Sequence, residues 1–307
     1  MTKSFPESAA IDLPVITILA PAKINLILRI LDRRPDGYHN LWSIMQTVGL
    51  EDEVVIRMAP HRSDIQLCCD DSSLRTDRSN LVHRAAAAVL ERSGKSVGLE
   101  IHLTKRIPMG AGLGGGSSDA AATIIGLNQV LQLGWSSARM AEVGQTLGSD
   151  VPFFLYAPAA IVSGRGEDVR PIQLTGGRWV VLVNPGFPVE TKWAYQQLSA
   201  TRKGLEPLSE RLRRLEASAQ IAWSEVLELA SNDFESPVFG AHPVLGEIKE
   251  ELLAEGADIA LLSGSGATVF GVFRDEAAAQ KAASCFRTRR ELKVFAVRAC
   301  SGPVVMC

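Results

Sequence analysis

A run of alternating apolar and polar residues near the beginning of the chain gives the first structural signal. Within Thr17–Leu31, every second residue from Ile24 onwards is apolar, whereas Lys23 and Asn25 lie at the alternate positions. Alternation with a period of two predicts a β-strand, and Pro21 marks a candidate break in it. Lys23 and Asn25 are therefore expected to project from the same face of this strand.

The remaining pattern alternates between strands and helices in both halves of the chain. Further strands are predicted at Glu53–Met58, Asp64–Cys69, Leu99–Lys105, Trp179–Val183, Asp258–Leu262, Ala267–Phe273 and Leu292–Ala299. Helices are predicted at Ser79–Ser93 (with Ser79 or Asn80 as N-cap and Gly94 as stop), Ser117–Leu131, Ser137–Leu147, Glu190–Ser199, Glu206–Ala217, Ser224–Ala230, Pro243–Glu255 and Glu276–Cys285. No internal repeat is present. This mixture predicts an α+β protein with two lobes, divided into residues 1–165 and 166–307, with the boundary falling within residues 160–175.

Composition narrows the class of protein. Of the 307 residues, 46% are hydrophobic, which is enough for a sizeable core, and the formal net charge of -2 does not favour a nucleic-acid partner. No apolar run is long enough to cross a bilayer, and Met1–Leu13 lacks the apolar region of a secretory signal and is interpreted as a flexible tail. The five cysteines fit no zinc pattern, which indicates free thiols in a reducing cytoplasm.

The strongest chemical signal is the stretch Pro108–Ser118, here called the glycine loop. It reads Pro108, Met109, Gly110, Ala111, Gly112, Leu113, Gly114, Gly115, Gly116, Ser117, Ser118. A backbone this rich in glycine can approach a ligand closely, and its N–H groups can surround an anion. The alanine-rich helix that follows adds the positive end of its dipole. The loop is therefore predicted to bind the phosphates of ATP, and one of its two serines could bind Mg²⁺ or a phosphate oxygen.

Three other interpretations of the glycine loop are weaker. A flexible linker is disfavoured because a predicted strand ends just before the loop and a helix starts just after it. Gly110, Gly112 and Gly115 satisfy G-x-G-x-x-G, but no acidic residue lies between Asp119 and Glu142, where a Rossmann fold would place one. A P-loop of the G-K-[ST] type is excluded, since Gly116 is followed by serine.

Three motifs, taken in order, resemble those of the GHMP kinase superfamily. They are Pro21-Ala-Lys-Ile-Asn-Leu, the glycine loop, and Leu262-Ser-Gly-Ser-Gly-Ala-Thr-Val-Phe. The resemblance spans most of the chain. It implies an N-terminal lobe of the ribosomal-S5-domain-2-like type with a left-handed crossover, and a ferredoxin-like C-terminal lobe. It also implies an ATP-dependent kinase that uses Mg²⁺.

Further motifs resemble one branch of that superfamily. They are Asp36-Gly-Tyr-His-Asn-Leu, Gly112-Leu-Gly-Gly-Gly-Ser-Ser-Asp-Ala-Ala and Leu147-Gly-Ser-Asp-Val-Pro-Phe-Phe. This branch phosphorylates the 2-hydroxyl of a cytidyl diphosphate alcohol in the non-mevalonate isoprenoid pathway. Two alternatives stay open: another small-molecule kinase of the mevalonate or homoserine type, and a nucleotide-binding sensor without catalysis. The expected partners are the two small molecules, and the chain is expected to be a monomer or a weak homodimer.

The resemblance also implies catalytic residues. Asp150 matches the aspartate that accepts the hydroxyl proton, and Lys23 matches the lysine that keeps this carboxylate ionised and stabilises developing charge. Taken singly, an aspartate before Val-Pro is more often a turn residue and a lysine at a strand start is usually solvated, so these roles depend on the matched motifs. Asp119 is expected to cap the helix that follows the loop.

Five residues are expected at the substrate. Asn25 shares the face of Lys23, and by resemblance Tyr38 stacks on the cytosine while His39 hydrogen-bonds to it. Thr191 matches a substrate-site threonine, and Tyr195, one helical turn later, supplies a second aromatic wall.

Overall fold

The computed structural model describes residues 14–156, 158–202, 204 and 207–300. The expected tail Met1–Leu13 lies outside them. The strands are β1 (Val15–Arg33), β2 (His39–Met58), β3 (Ile65–Cys69), β4 (Leu99–Thr104), β5 (Ala159–Gly164), β6 (Asp168–Pro171), β7 (Gln173–Thr175), β8 (Trp179–Asn184), β9 (Gln220–Ala222), β10 (Ser231–Asn232), β11 (Ile259–Leu262), β12 (Val269–Phe273) and β13 (Lys293–Arg298). The helices are α1 (Leu81–Ser93), α2 (Gly115–Val130), α3 (Ser137–Gln145), α4 (Val151–Tyr156), α5 (Thr191–Thr201), α6 (Glu210–Leu215), α7 (Trp223–Leu229), α8 (Glu235–Ala241), α9 (Pro243–Ala254) and α10 (Glu276–Arg287).

The long antiparallel hairpin of β1 and β2 forms the frame of the first sheet, with a register from Val15 opposite Arg57 to Arg33 opposite His39. The candidate break at Pro21 is absent, because the strand absorbs the proline in a register shift between Pro21 and Ala22. The pattern predicted only the last six residues of β2. Residues 41–48 of this strand are all buried, so they show no alternation that could be read from the sequence.

The first sheet has seven strands. Its main order is β10–β1–β2–β4–β3, and β5 joins the first half of β2 while β6 pairs with β5. β3 and β4 run parallel and are joined by the crossover helix α1, which begins at the N-cap Asn80 and ends at Gly94 in a left-handed conformation. Both helix boundaries match the sequence prediction. That the crossover is left-handed stays a prediction.

The second sheet has four antiparallel strands in the order β11–β12–β8–β13. In chain order, helices separate β8 from the pair β11 and β12, and α10 separates that pair from β13. This is a ferredoxin-like arrangement, so the expected α+β fold with two lobes is confirmed. β6 and β10 come from the second half of the sequence yet pair in the first sheet, and the division at residues 165 and 166 stays a prediction.

The helices bury apolar residues against the two sheets. α2 packs on β1, β2 and α1, and its buried residues include Ala120, Ala121, Ile124 and Leu127. Small side chains let this helix approach the sheet closely, which fixes where the glycine loop ends. None of the helices in the described part of the chain is long and apolar enough to cross a membrane.

The N-cap of α10 provides a test of the second lobe. Asp275 accepts a hydrogen bond from Ala278 N at 2.9 Å, and loss of such a cap costs about 1 kcal/mol of unfolding free energy. We expect Asp275→Ala to destabilise the protein by about this amount in urea denaturation, whereas Asp275→Asn, which keeps an acceptor oxygen, loses much less. Equal losses in the two variants would contradict the capping role.

Candidate active site

A cleft of about 700 Å³ lies where the glycine loop, β1, the start of α5 and the β11–β12 turn meet. Most of the residues proposed from the sequence line it together: Lys23, Asn25, Pro108, Met109, Gly110, Ala111, Gly112, Leu113, Gly114, Gly115, Gly116, Ser117, Asp150, Thr191 and Tyr195. Ser118, Tyr38 and His39 do not line it. The first half of the chain thus supplies the loop, the lysine and the aspartate, and the second half supplies the opposite wall.

The carbonyl groups of the glycine loop point into the protein. Leu113 O accepts from Lys23 N at 2.9 Å, Gly112 O from Ser263 Oγ at 3.0 Å, and Ala111 O from Thr268 N at 3.2 Å. No acceptor in the described part of the chain bonds to the backbone N–H groups of residues 110–117. With α2 starting at Gly115, this arrangement offers free N–H groups and a helix dipole to an anion.

Two glycines of the loop are required by close packing. Gly112 has φ of +76°, and a Cβ there would lie 2.0 Å from Ser263 O. Gly114 has φ of +70°, and a Cβ there would lie 3.0 Å from Lys23 Cγ and from a ring carbon of Phe154. The loop therefore closes directly over the lysine, and contacts with the protein exclude a side chain at both positions.

A chain of hydrogen bonds holds the Lys23 side chain in place. Its Nζ donates to Asn25 Oδ1 at 2.6 Å, Asn25 Nδ2 donates to Ser43 Oγ at 2.9 Å, and Ser43 Oγ donates to Ile27 O at 2.6 Å. The serine hydroxyl donates its only proton to a carbonyl, so it must accept the hydrogen bond from the Asn25 amide. The NH₂ group of Asn25 therefore faces Ser43, and its oxygen faces the lysine. Asn25 thus orients Lys23; its expected contact with substrate stays a prediction.

Asp150 directly precedes α4 and faces Lys23 with 3.9 Å between its Oδ2 and the lysine Nζ. The aspartate side chain is 35% exposed, whereas that of the lysine is 5% exposed. Burial lowers the pKa of Lys23, and the nearby Asp150 carboxylate acts in the opposite direction. A carboxylate open to the cleft and held beside a buried amine can orient a hydroxyl group and receive its proton.

The opposite wall is built by α5 and the β11–β12 turn. Thr191 Oγ1 and Ser265 Oγ lie 3.0 Å apart. Tyr195 packs edge-on against Phe234, with ring centroids 4.9 Å apart. Burial, with a smaller contribution from Asp150, raises the pKa of Tyr195 to about 12, so that its phenol is neutral at physiological pH.

The side chains of the consecutive residues Tyr38 and His39 contact different neighbours. The His39 ring stacks on Tyr195 at 5.0 Å between centroids and 16° between planes, which leaves no room for a base between these two rings. Burial, and then Arg33 and Arg202, lower the pKa of His39. Tyr38 is 59% exposed and lies beneath the Arg165 guanidinium, 5.3 Å away. Their contacts with a cytosine stay predictions.

The expectation that Asp119 caps α2 is wrong. The N-cap residue is Gly114, and the Asp119 side chain turns inward to Lys105 Nζ at 2.7 Å. Burial raises the pKa of this carboxyl to about 7 against the opposing effect of Lys105. Ser118 is also buried, and its Oγ has no hydrogen-bond partner in the described residues.

Several residues of the site gave no recognisable sequence signal. Asn232 Nδ2 donates to Leu262 O and Gly264 O, both at 2.8 Å, while its Oδ1 accepts from Phe234 N at 2.9 Å. It thus ties the β11–β12 turn to an aromatic residue of the cleft. The cleft is also lined by residues before and at the start of α1, namely Ser73, Leu74, Arg75, Ser79, Asn80 and Leu81.

Comparison with known proteins identifies relatives along nearly the whole chain. A family model described as GHMP kinases N terminal domain matches residues 80–158, and one described as GHMP kinases C terminal matches residues 214–291. A 4-diphosphocytidyl-2-C-methyl-D-erythritol kinase from Citrifermentans bemidjiense is 43% identical over 283 residues, which cover 92% of this chain and 98% of that protein.

Two solved structures extend this similarity. A crystal structure of 4-(cytidine 5'-diphospho)-2C-methyl-D-erythritol kinase matches with a TM-score of 0.78 and 33% identity, covering 93% of this chain and 100% of the other. A homoserine kinase from Cytophaga hutchinsonii matches with a TM-score of 0.74 and 20% identity, covering 99% and 100% of the two chains. The second match shows a shared fold only.

Gly116 offers a cleaner test of the glycine loop than Gly114, whose Cβ would press on Lys23. A Cβ on Gly116 would meet only Leu81, at 3.4 Å. Gly116 itself is exposed and lines the cleft. We expect Gly116→Val to weaken ATP binding, measured by calorimetry, with the fold retained, because the side chain occupies space beside the free N–H groups. The matched control is Gly240→Val, at an exposed position of α8 with open space around it. Unchanged ATP affinity in Gly116→Val would refute the loop assignment.

Proposed function

Because the chain belongs to the GHMP kinases and, within them, to the family of the 4-diphosphocytidyl-2-C-methyl-D-erythritol kinases, we propose that it phosphorylates this diphosphocytidyl alcohol. The chain is an ATP-dependent kinase, and the group that receives the phosphoryl in this proposal is the 2-hydroxyl. The supporting observation is the position of Asp150 and Lys23, 3.9 Å apart and both in the cleft beneath the glycine loop. The proposal includes a cytoplasmic location and a monomer or weak homodimer.

In this proposal the glycine loop binds the phosphates of ATP. Its N–H groups and the start of α2 lie in fixed positions, because the loop carbonyls already bond to the protein. Phosphoryl transfer depends on positioning and on stabilisation of charge more than on covalent chemistry. A rigid set of donors meets this requirement without having to reorganise during the reaction.

Asp150 orients the acceptor hydroxyl and takes its proton as the hydroxyl oxygen bonds to the γ-phosphorus of ATP. The bond between that phosphorus and the β,γ-bridging oxygen breaks, and ADP leaves. Its partly exposed side chain can reach a hydroxyl in the cleft, whereas Lys23 is buried and held by Asn25. The lysine amine adds positive charge beside the carboxylate and near the transferred group. The carboxylate and the lysine, 3.9 Å apart, thus act together on one transfer step.

Mg²⁺ fits this site as a partner of the nucleotide rather than as a resident ion. The described residues contain no group of three or more His, Cys, Asp or Glu that could hold a metal, and Mg²⁺ in kinases is largely bound by phosphates and water. Of the two loop serines, Ser117 lines the cleft, and its hydroxyl would hold the ion together with phosphate oxygens and water. When bound, the ion would neutralise phosphate charge.

Turnover of candidate alcohols tests the proposed function. ADP release is measured with ATP and, in separate reactions, the diphosphocytidyl alcohol, mevalonate or homoserine. We expect turnover with the first compound only. Turnover with mevalonate or homoserine instead would assign a different kinase activity, and ATP binding without turnover of any alcohol would favour a sensor.

Substitution of the proposed catalytic pair tests the mechanism. Asp150→Asn keeps the size of the side chain and removes its charge and basicity, so kcat should fall by roughly 10²–10⁴-fold while both ligands still bind. Lys23→Ala should also lower kcat, and the double variant should be little worse than the worse single one, because the two residues act as a unit. Single-turnover kinetics measure all three. Full activity in Asp150→Asn would refute the mechanism, and strictly multiplicative losses would show independent roles.

Tyr38 tests the proposed cytidine end of the site. If its ring stacks on the cytosine, Tyr38→Ala should weaken binding of the alcohol by about 1–3 kcal/mol, in line with base–aromatic stacking elsewhere. The KM for ATP should stay nearly constant, and Tyr38→Phe, which keeps the ring, should behave like the wild type. Steady-state kinetics with each substrate varied in turn measure this. Equal effects of Tyr38→Ala on both KM values would show that the ring is structural.

A further inference from the structure

The reaction proposed above gives no task to three charged side chains buried beneath the glycine loop. Asp52 lies on β2, Lys105 directly follows β4, and Asp119 lies in the first part of α2. Lys105 Nζ contacts Asp52 Oδ2 and lies 2.7 Å from Asp119 Oδ2. None of the three side chains is more than 6% exposed. We call them the Asp52–Lys105–Asp119 cluster.

The cluster is bonded to both ends of the glycine loop. At the entry, Asp52 Oδ1 accepts from Arg106 N at 2.5 Å and from Ile107 N at 2.8 Å, directly before Pro108. At the exit, Asp119 belongs to the helix that the loop leads into. Lys105 connects the two carboxylates and lies so close to the loop that a Cβ on Gly115 would be 3.4 Å from its Nζ.

Stability alone is a weak explanation for these charges. Removing three charged groups from water is costly, and buried ion pairs often stabilise a protein no more than apolar residues of similar size. Their bonds do, however, restrict geometry. Because Asp52 accepts hydrogen bonds from two consecutive backbone N–H groups, it fixes the backbone conformation of residues 106 and 107. The Lys105 ammonium, which bonds to both carboxylates, sets the distance from this backbone to α2.

We propose that the Asp52–Lys105–Asp119 cluster positions the glycine loop, holding its entry and its exit at the spacing at which its N–H groups bind the phosphates of ATP. These are positioning residues, and Asp52 is the most informative of them, because it is fully buried and does not line the cleft. The inference rests on the proposed ATP site and adds to it the part of the protein that keeps the loop in shape.

The decisive variant is Asp52→Asn. The amide oxygen can still accept from both Arg106 N and Ile107 N, because both bond to Oδ1. The charge is lost, however, and the amide nitrogen that replaces Oδ2 cannot accept from Lys105, so the lysine no longer links the entry of the loop to its exit. We expect the Kd for ATP to rise about tenfold, which corresponds to about 1.4 kcal/mol. The Kd for the diphosphocytidyl alcohol should change by less than about twofold. Calorimetry with each ligand alone measures both values.

Two control variants separate positioning from other effects. Asp64→Asn makes the same chemical change in an exposed ion pair with Arg62 and should leave both Kd values unchanged. Val181→Ala creates a cavity in the second sheet, where the side chain is fully buried, and shows how a general loss of stability affects ligand binding. Urea denaturation measures the unfolding free energy of each variant, so that variants of equal stability can be compared. If Asp52→Asn leaves ATP binding unchanged, or weakens it no more than an equally destabilising Val181→Ala, the proposal is overturned.

A second variant decides the question if Asp52→Asn does not fold. Asp119→Asn keeps an oxygen that can accept from Lys105 but lacks the charge, so the exit of the loop is held less firmly. A weaker ATP affinity with an unchanged alcohol affinity supports the proposal, and unchanged affinity for both ligands overturns it. Wild-type protein that bound no ATP would overturn the ATP site itself and this inference with it.

Discussion

The bonding of the glycine loop's carbonyl groups to the protein is the constraint on which the rest of the site depends. A backbone can bind a polyanion only if its N–H groups face the ligand and its carbonyls face elsewhere. Here three successive carbonyls are satisfied by Lys23 N, Ser263 Oγ and Thr268 N. These donors come from β1 and from the residues around the β11–β12 turn, so the loop takes its shape only when both sheets are in place.

The same docking explains why a lysine can be buried at the proposed reacting centre. An amine removed from water needs partners, and Lys23 has two: the oriented amide of Asn25 at 2.6 Å and the Asp150 carboxylate at 3.9 Å. The short hydrogen bond of Lys23 is to the neutral amide, and the longer separation is to the charged carboxylate. Asp150 therefore keeps lone pairs available for a hydroxyl in the cleft instead of being locked into a close ion pair.

Local signals in the sequence were sufficient for much of the fold and failed at identifiable places. Asn80 and Gly94 mark the ends of α1 because capping depends on a few neighbouring residues. The first half of β2 was missed because burial on both faces removes alternation. Asp119 was misassigned because its partners, Lys105 and Asp52, are set by the packing of α2 on the sheet. Asn232 bonds to residues about thirty positions away, which no periodicity encodes.

The division of the cleft between the two halves of the chain has a consequence for specificity. Lys23, Asp150 and the glycine loop belong to the first sheet and its helices, while Thr191 and Tyr195 belong to α5 and Ser265 to the β11–β12 turn. The glycine loop meets the β11–β12 turn through the bonds of Ser263 Oγ and Thr268 N to its carbonyls, and these bonds involve no side chain of α5. Side chains on α5 can therefore change which alcohol the proposed site accepts without disturbing the loop donors that are proposed to hold the phosphates. Tyr195 illustrates this separation, since it packs on His39 and Phe234 and makes no hydrogen bond to the loop in the described residues.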